Sequence, residues 1–176
     1  MRRPVSAYWL LLTGVLFVWA GMVGAISFME APLKFTAPHI TVALGVGIGR
    51  VVFHALNKVE LALCLLALGS AGALRVPTHV WRGLVLATVV LMLETAWLLP
   101  ALDLRAEALL QGTPAPASYH HWLYIGLDAV KLLTLVVAGA LTFRAALSAA
   151  LAPVPGRVAD GRTKAAARRH AETLEV

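Results

Sequence analysis

Four long apolar runs, separated by short stretches that carry the prolines and most polar residues, organise this chain. A helix rises ~1.5 Å per residue, so crossing a hydrocarbon core of ~30 Å takes roughly 20 residues. Residues 7–28, 49–74, 80–99 and 122–143 each meet that length. None shows the alternation of a barrel strand, and a continuously apolar run satisfies its backbone in lipid only as a helix. The pattern predicts an all-α, integral membrane, antiparallel four-helix transmembrane bundle over residues 1–152, with a basic tail over 153–176. The connections are then a semi-apolar interfacial stretch over 29–48, a turn over 75–79 and a loop over 100–121. Pro32, Pro38, Pro77, Pro100, Pro114 and Pro116 all fall in them, where a residue without an N–H suits a break. Trp9, Trp81, Trp97, Trp122, Tyr8, Tyr119 and Tyr124 gather near run ends, where amphipathic rings prefer the interface.

Two ends need separate reading. Met1-Arg2-Arg3 opens like a secretory signal, but the run over 7–28 exceeds the ~7–15 apolar residues of a cleaved one. It reads as a retained first span. At the other end Pro153 and Pro155 stop the last helix, and residues 163–174 can form a short amphipathic helix.

Composition narrows the class. With 60% hydrophobic residues, 14% charged residues and a mean hydropathy of +0.80, the chain lacks the polar surface of a soluble domain. A net charge of +6 would suit nucleic acid, yet the basic residues sit at run ends and in the tail. The partner they imply is the lipid bilayer, and no nucleic acid. Arg2, Arg3, Arg75, Arg82, Arg144, Arg157, Arg162, Lys164, Arg168 and Arg169 share one side of a four-span path. Lys34 and Arg105 lie on the other, with Arg50 at its border. The positive-inside rule puts both termini in the cytoplasm, and the expected setting is a bacterial cytoplasmic membrane. Cys64, the single cysteine, reads as a small apolar packing residue. Gly45-Val46-Gly47-Ile48-Gly49 follows no strand, so it is no nucleotide fingerprint; flexible backbone at a helix start accounts for it.

The candidate chemistry lies in residues that do not belong in lipid. At 100° per residue, the second span gathers Arg50, His54, Asn57, Lys58 and Glu60 within an arc of roughly 160°. The fourth places His120, His121, Tyr124, Asp128 and Lys131 on a face of about 100°. The third contributes Glu94, and the first ends at Glu30. All fall toward the outer half of the bilayer, while residues 61–74 and 132–141 are plain hydrocarbon, which disfavours a channel or transporter. A charge at mid-bilayer costs ~2.5–3.5 kcal/mol on the insertion scale, so partners are required. The candidate pairs are Glu60 or Glu94 with Lys58, and Asp128 with Lys131.

Two uses of that cluster stay open. It can be an ion-pair network fixing helix register. It can also be a site for a transition metal or redox cofactor, since imidazole and carboxylate suit iron, copper or zinc. His54, Glu94, His120 or His121, and Asp128 are then the ligands, with Tyr124 behind them and Glu30, Arg50, Asn57, Lys58, Glu60 and Lys131 in support. The HExxH and paired ExxH motifs are absent. Heme between His54 and His121 is disfavoured, because two histidines so placed arise easily by chance. No Ser or Cys has a His at a recognisable catalytic spacing, so no catalytic residue is assigned.

Longer stretches carry a resemblance. SFMEAPLKF closing the first span, GRVVFHALNKVE opening the second, ETAWLLPALDLRAE closing the third and YHHWLYIGLDAVKLL opening the fourth are similar to small four-span membrane proteins. The chain resembles the transmembrane-protein-205-like family over about residues 7–145 and, more loosely, the anthrone-oxygenase-like family. Pro100, Arg105 and His121 carry the match; the His120-His121 pair and the dense charge of the second span depart from it. The first resemblance implies handling of metals or small molecules, the second oxygen chemistry on a hydrophobic substrate. The leading expectation is thus a multi-pass membrane protein whose His/carboxylate site binds a metal, a redox cofactor or a small hydrophobic substrate. The alternative is a non-catalytic accessory subunit held with other membrane subunits. In the site reading Glu94, Asp128 and His54 converge.

Overall fold

The computed structural model describes residues 7–113 and 119–151. They form four helices, α1 (Ala7–Thr36), α2 (Val42–Gly72), α3 (Thr78–Leu110) and α4 (His120–Leu151), each long and apolar enough to cross a membrane. The fold is an all-α antiparallel transmembrane bundle. In it α1 packs between α2 and α4, and α3 closes the ring against the same two neighbours. Ala7, Leu151 and the turn over 73–77 mark one end, and the linkers over 37–41 and 111–119 mark the other.

The helices overrun the expected spans, chiefly at the linker end. α1 continues eight residues past 28, α2 begins at Val42 rather than 49, and α3 runs on to Leu110. Most of the stretch over 29–48 and about half of that over 100–121 is therefore helix, not loop. Prolines misled here, for Pro32 and Pro100 lie inside α1 and α3. Each follows a wide turn, Gly24–Glu30 in α1 and Glu94–Leu98 in α3, with five-residue hydrogen bonds. Ala31 N–H donates to the Ile26 carbonyl and Leu99 N–H to the Glu94 carbonyl. A proline removes one helical donor and crowds the preceding turn, and a widened turn absorbs both defects without ending the helix.

The true breaks carry ordinary capping chemistry. Thr41 Oγ1 accepts from Leu44 N–H at 3.2 Å to start α2. Gly112, at φ 70°, ends α3 while Thr113 N–H reaches back to the Ala108 carbonyl at 3.0 Å. The basic tail, its amphipathic segment, Pro114 and Pro116 lie outside the described residues, as do Arg2 and Arg3.

Packing follows the rules of lipid rather than water. Large side chains such as Leu10, Val51, Leu65, Leu133 and Phe143 point outward, while Leu12, Leu16, Ala67, Leu84, Leu91 and Leu135 fill the centre. Lipid tails are as apolar as leucine, so close contact and polar bonds must choose the partners. Small residues supply the contact. A Cβ added at Gly83 would sit 3.2 Å from the Ala138 Cβ, and one at Gly139 would sit 3.2 Å from the Phe17 ring. At the linker end, a Cβ on Gly45 would meet the Phe35 ring at 2.3 Å and one on Gly49 the Lys34 Nζ at 2.8 Å. Those glycines admit side chains of α1, which explains the repeat better than flexible backbone.

Gly83→Leu should therefore force α3 away from α4, with a loss of ~1–3 kcal/mol typical of overpacking. Gly69→Leu, at a helix position with open space around it, serves as control. Denaturation in detergent reads both; equal stability of the two variants would refute the close contact.

Candidate functional site

Near the midpoint of the bundle each helix contributes to one charged cluster. Lys131 of α4 aims its ammonium at Glu60 Oε1 of α2, 2.8 Å away, and at Asp128 Oδ1 one turn earlier on α4, 2.9 Å away. It also donates to Glu94 Oε2 of α3. From α1, Trp19 Nε1–H donates to the same Glu60 oxygen at 2.8 Å. Glu60, Asp128, Lys131 and Trp19 are 0% exposed and Glu94 is 1% exposed, so water is excluded from all five. One turn toward the linkers, Asn57 Nδ2 donates to Thr95 Oγ1 at 2.7 Å and ties α2 to α3.

The cluster is short of positive charge and of hydrogen-bond donors. Glu60 Oε2, Glu94 Oε1 and Asp128 Oδ2 are buried without a hydrogen-bond partner. Asp128 Oδ1 is near enough to Lys131 for an ion pair but is not aligned as a hydrogen bond. Since buried polar groups are normally satisfied, three such carboxylates around one ammonium call for an explanation.

The expected ligand set is divided among several places. Glu94 and Asp128 do converge, joined by Glu60. His54 does not join them, because Asp103 takes it: His54 Nε2 lies 2.7 Å from Asp103 Oδ2, and Arg50 Nε donates to Asp103 Oδ1 at 3.1 Å. His120 stacks on Tyr119, 4.6 Å between ring centroids, and meets the Trp97 ring edge-on. Tyr124 is buried edge-on against Phe53. Glu30 pairs with Lys34 within α1 at 3.4 Å. Lys58 is exposed, so the pairing of Glu60 or Glu94 with Lys58 is replaced by pairing with Lys131; the Asp128–Lys131 pair stands. Depth shifts as well. The cluster lies near the middle of the helices rather than toward their linker ends, because those ends extend farther than the apolar runs suggested.

A metal fits this centre poorly. The three carboxylates offer oxygens within 4.8 Å of one another, which is metal-like spacing. The Lys131 ammonium, however, already contacts all three, and the cluster holds no imidazole of the kind iron, copper and zinc favour. An ion sharing those oxygens would stand beside a fixed positive charge.

Above the cluster, toward the linkers, a cavity of about 710 Å³ opens among the four helices. Its walls are largely apolar, with Phe28, Phe35, Phe53, Leu102, Leu109 and Trp122 among them. Lys34, Arg50, Asp103, Arg105 and His121 line its linker side. At its deep end are Ser27 and Asp128, and Ser27 Oγ, like Asp128 Oδ2, is buried without a partner. Sequence reasoning missed three of these participants. Asp103 was assigned to a loop after Pro100, and Ser27 carries no signal of its own. Trp19 did carry one, a tryptophan in mid-run rather than at the interface.

Fold and site together define the class: a multi-pass membrane protein built as an antiparallel four-helix bundle around a buried lysine–tricarboxylate centre. No family model matches the chain, and neither a curated protein nor a solved structure matches it.

Lys131→Met should destabilise the bundle by ~3–5 kcal/mol, the usual loss when one partner of a buried ion pair is removed. Adding Glu60→Gln to that variant should recover part of the loss by removing one uncompensated carboxylate. Unfolding in detergent measures both, and a Lys131→Met protein as stable as wild type would show that the ammonium does not organise the centre.

Proposed function

We propose that this membrane protein binds a small, largely apolar molecule in the cavity, with the lysine–tricarboxylate centre as its floor. The observation that carries this reading is the cavity itself. Its volume of about 710 Å³ falls within the ~300–1,000 Å³ common for small-ligand sites, and its few polar groups stand apart on apolar walls. Those groups lie at opposite ends, acceptors at the floor and mainly cationic side chains on the linker side. An amphipathic molecule matches that arrangement, with a donor reaching Ser27 or Asp128 and a polar group near Lys34 and Arg50. The likeness to the anthrone-oxygenase-like family, which implies a hydrophobic substrate, agrees with this reading.

The alternative of an accessory subunit asks the charge cluster to dock a partner or to pin the bundle. Docking is poorly served by charges that are at most 1% exposed. Pinning is compatible with ligand binding and does not account for the cavity. The basic side chains further support an orientation with both termini in the cytoplasm, which places the cavity on the outer side.

Native mass spectrometry of the protein released from its own membrane tests the binding reading. Wild type should carry a bound species of discrete mass that Ala31→Trp, which fills the cavity from its α1 wall, no longer carries. Identical spectra, or wild type free of any adduct beyond bulk lipid, would refute it. For orientation, an impermeant thiol reagent applied to intact cells should label a cysteine placed at Gly112 and spare one at Leu74. The opposite labelling would turn the cavity toward the cytoplasm.

A further inference from the structure

We propose that the centre formed by Glu60, Glu94, Asp128 and Lys131 is a proton-binding site holding two exchangeable protons, which leave and return through Asp128 at the cavity floor. The argument begins with charge. Three ionised carboxylates and one ammonium leave an excess of two negative charges on side chains that are at most 1% exposed. Ionised groups left uncompensated in such surroundings neutralise instead of remaining charged. The groups facing the cluster from each helix do not supply the balance. α1 offers the neutral Trp19 indole, α2 adds Asn57 to Glu60, α3 adds Thr95 to Glu94, and α4 adds Tyr124 to Asp128 and Lys131. Of the basic residues on the linker side of the cavity, Lys34 and Arg50 pair with Glu30 and Asp103, and Arg105 also has a partner.

Hydrogen bonding points the same way. The unpartnered oxygens of Glu60, Glu94 and Asp128 accept no hydrogen bond while all three groups are ionised. A protonated carboxyl becomes a donor. Two protons shared among three carboxyls, whose oxygens lie within 4.8 Å of one another, leave one carboxylate for the ammonium and bring the cluster to neutrality. A divalent ion would balance the same charge. It would have to sit beside the Lys131 ammonium, which contacts all three carboxylates, and that is why protons are favoured.

The geometry also supplies a route. Asp128 is 0% exposed, its Oδ2 lacks a hydrogen bond, and it lines the cavity together with the unpartnered Ser27 Oγ. In the exchange step the Asp128 O–H bond breaks and its electron pair stays on the carboxylate. The proton passes to a water molecule in the cavity, which leaves outward as hydronium, and the reverse step refills the site. On the opposite side Leu16, Ala67, Leu84 and Leu135 pack as an apolar core, and the hydroxyls there, Ser70, Thr88 and Thr142, each donate to a carbonyl of their own helix. The exchange is therefore one-sided.

Infrared spectroscopy of the full-length protein in liposomes at neutral pH tests this without any ligand. Wild type should show a carboxylic-acid carbonyl band equal to two groups that shifts in D₂O. Glu60→Gln, Glu94→Gln and Asp128→Asn should each lower it by about half, since each removes one excess negative charge. Lys131→Met should instead raise it by about half. Ser27→Leu, which plugs the floor, should slow the shift in D₂O while keeping the amplitude. Absence of an acid band in wild type overturns the proposal even if no variant folds, as does a stoichiometric divalent metal in the purified protein. A band untouched by all three carboxylate substitutions overturns it too, and an unslowed Ser27→Leu overturns the cavity route.

Discussion

A single ammonium facing three carboxylates inside an apolar bundle constrains everything built around it. The contact from Lys131 reaches α2 through Glu60 and α3 through Glu94, while Trp19 brings in α1 by donating to Glu60. Apolar surface cannot set helix register in a bilayer, because lipid covers it as well as protein does. Directional contacts must do so. Displacing one helix by a single residue rotates its polar side chain by ~100° and leaves a charge facing lipid, at ~2.5–3.5 kcal/mol on the insertion scale. The Gly83–Ala138 approach then fixes how closely α3 and α4 can lie around that centre.

The two widened turns serve the same centre. Both occur just before a proline, Pro32 in α1 and Pro100 in α3, and the first lines the cavity. The first contains Ser27, and the second begins at Glu94. Turns of this kind recur at functional sites because they re-aim a side chain without ending a helix. Continuing α1 and α3 past their prolines also lengthens the bundle on the linker side. That extension supplies Phe35, Asp103 and Arg105 to the cavity wall. Without it the charged centre would lie close to the membrane surface, and the space above it would be a shallow dish.

The fold was legible from the four apolar runs because a hydrocarbon slab permits few alternatives. The ends of the helices were not. Residues 29–36 and 101–110 are too polar to count as hydrocarbon-spanning and each adjoins a proline, so a break looked natural; hydrogen bonds five residues long removed the need for one. Within the site, Glu94, Asp128 and Lys131 stood out simply as ionisable residues in apolar runs, and Glu60 was on the correct face. Their pairing was misread for Lys58, since helix rotation about its own axis is not contained in the sequence of one helix whose opposite faces are both largely apolar. His54 was drawn away by Asp103, an acid hidden in what looked like a loop.

The division between scaffold and site, natural when only the sequence is in view, does not hold for this centre. A bundle that needed one ion pair to fix its register could manage with one lysine and one carboxylate. A second and third acid tie further helices to the ammonium but add no net charge compensation, since its charge is already matched by the first. They also add buried oxygens without donors, which any purely structural network would be stabilised by losing. The surplus acids therefore point to something that comes and goes, and one of them lies on the wall of the cavity above the cluster. Register and binding are two consequences of the same arrangement: the lysine holds the acids together, and the excess acids give the centre its capacity to bind.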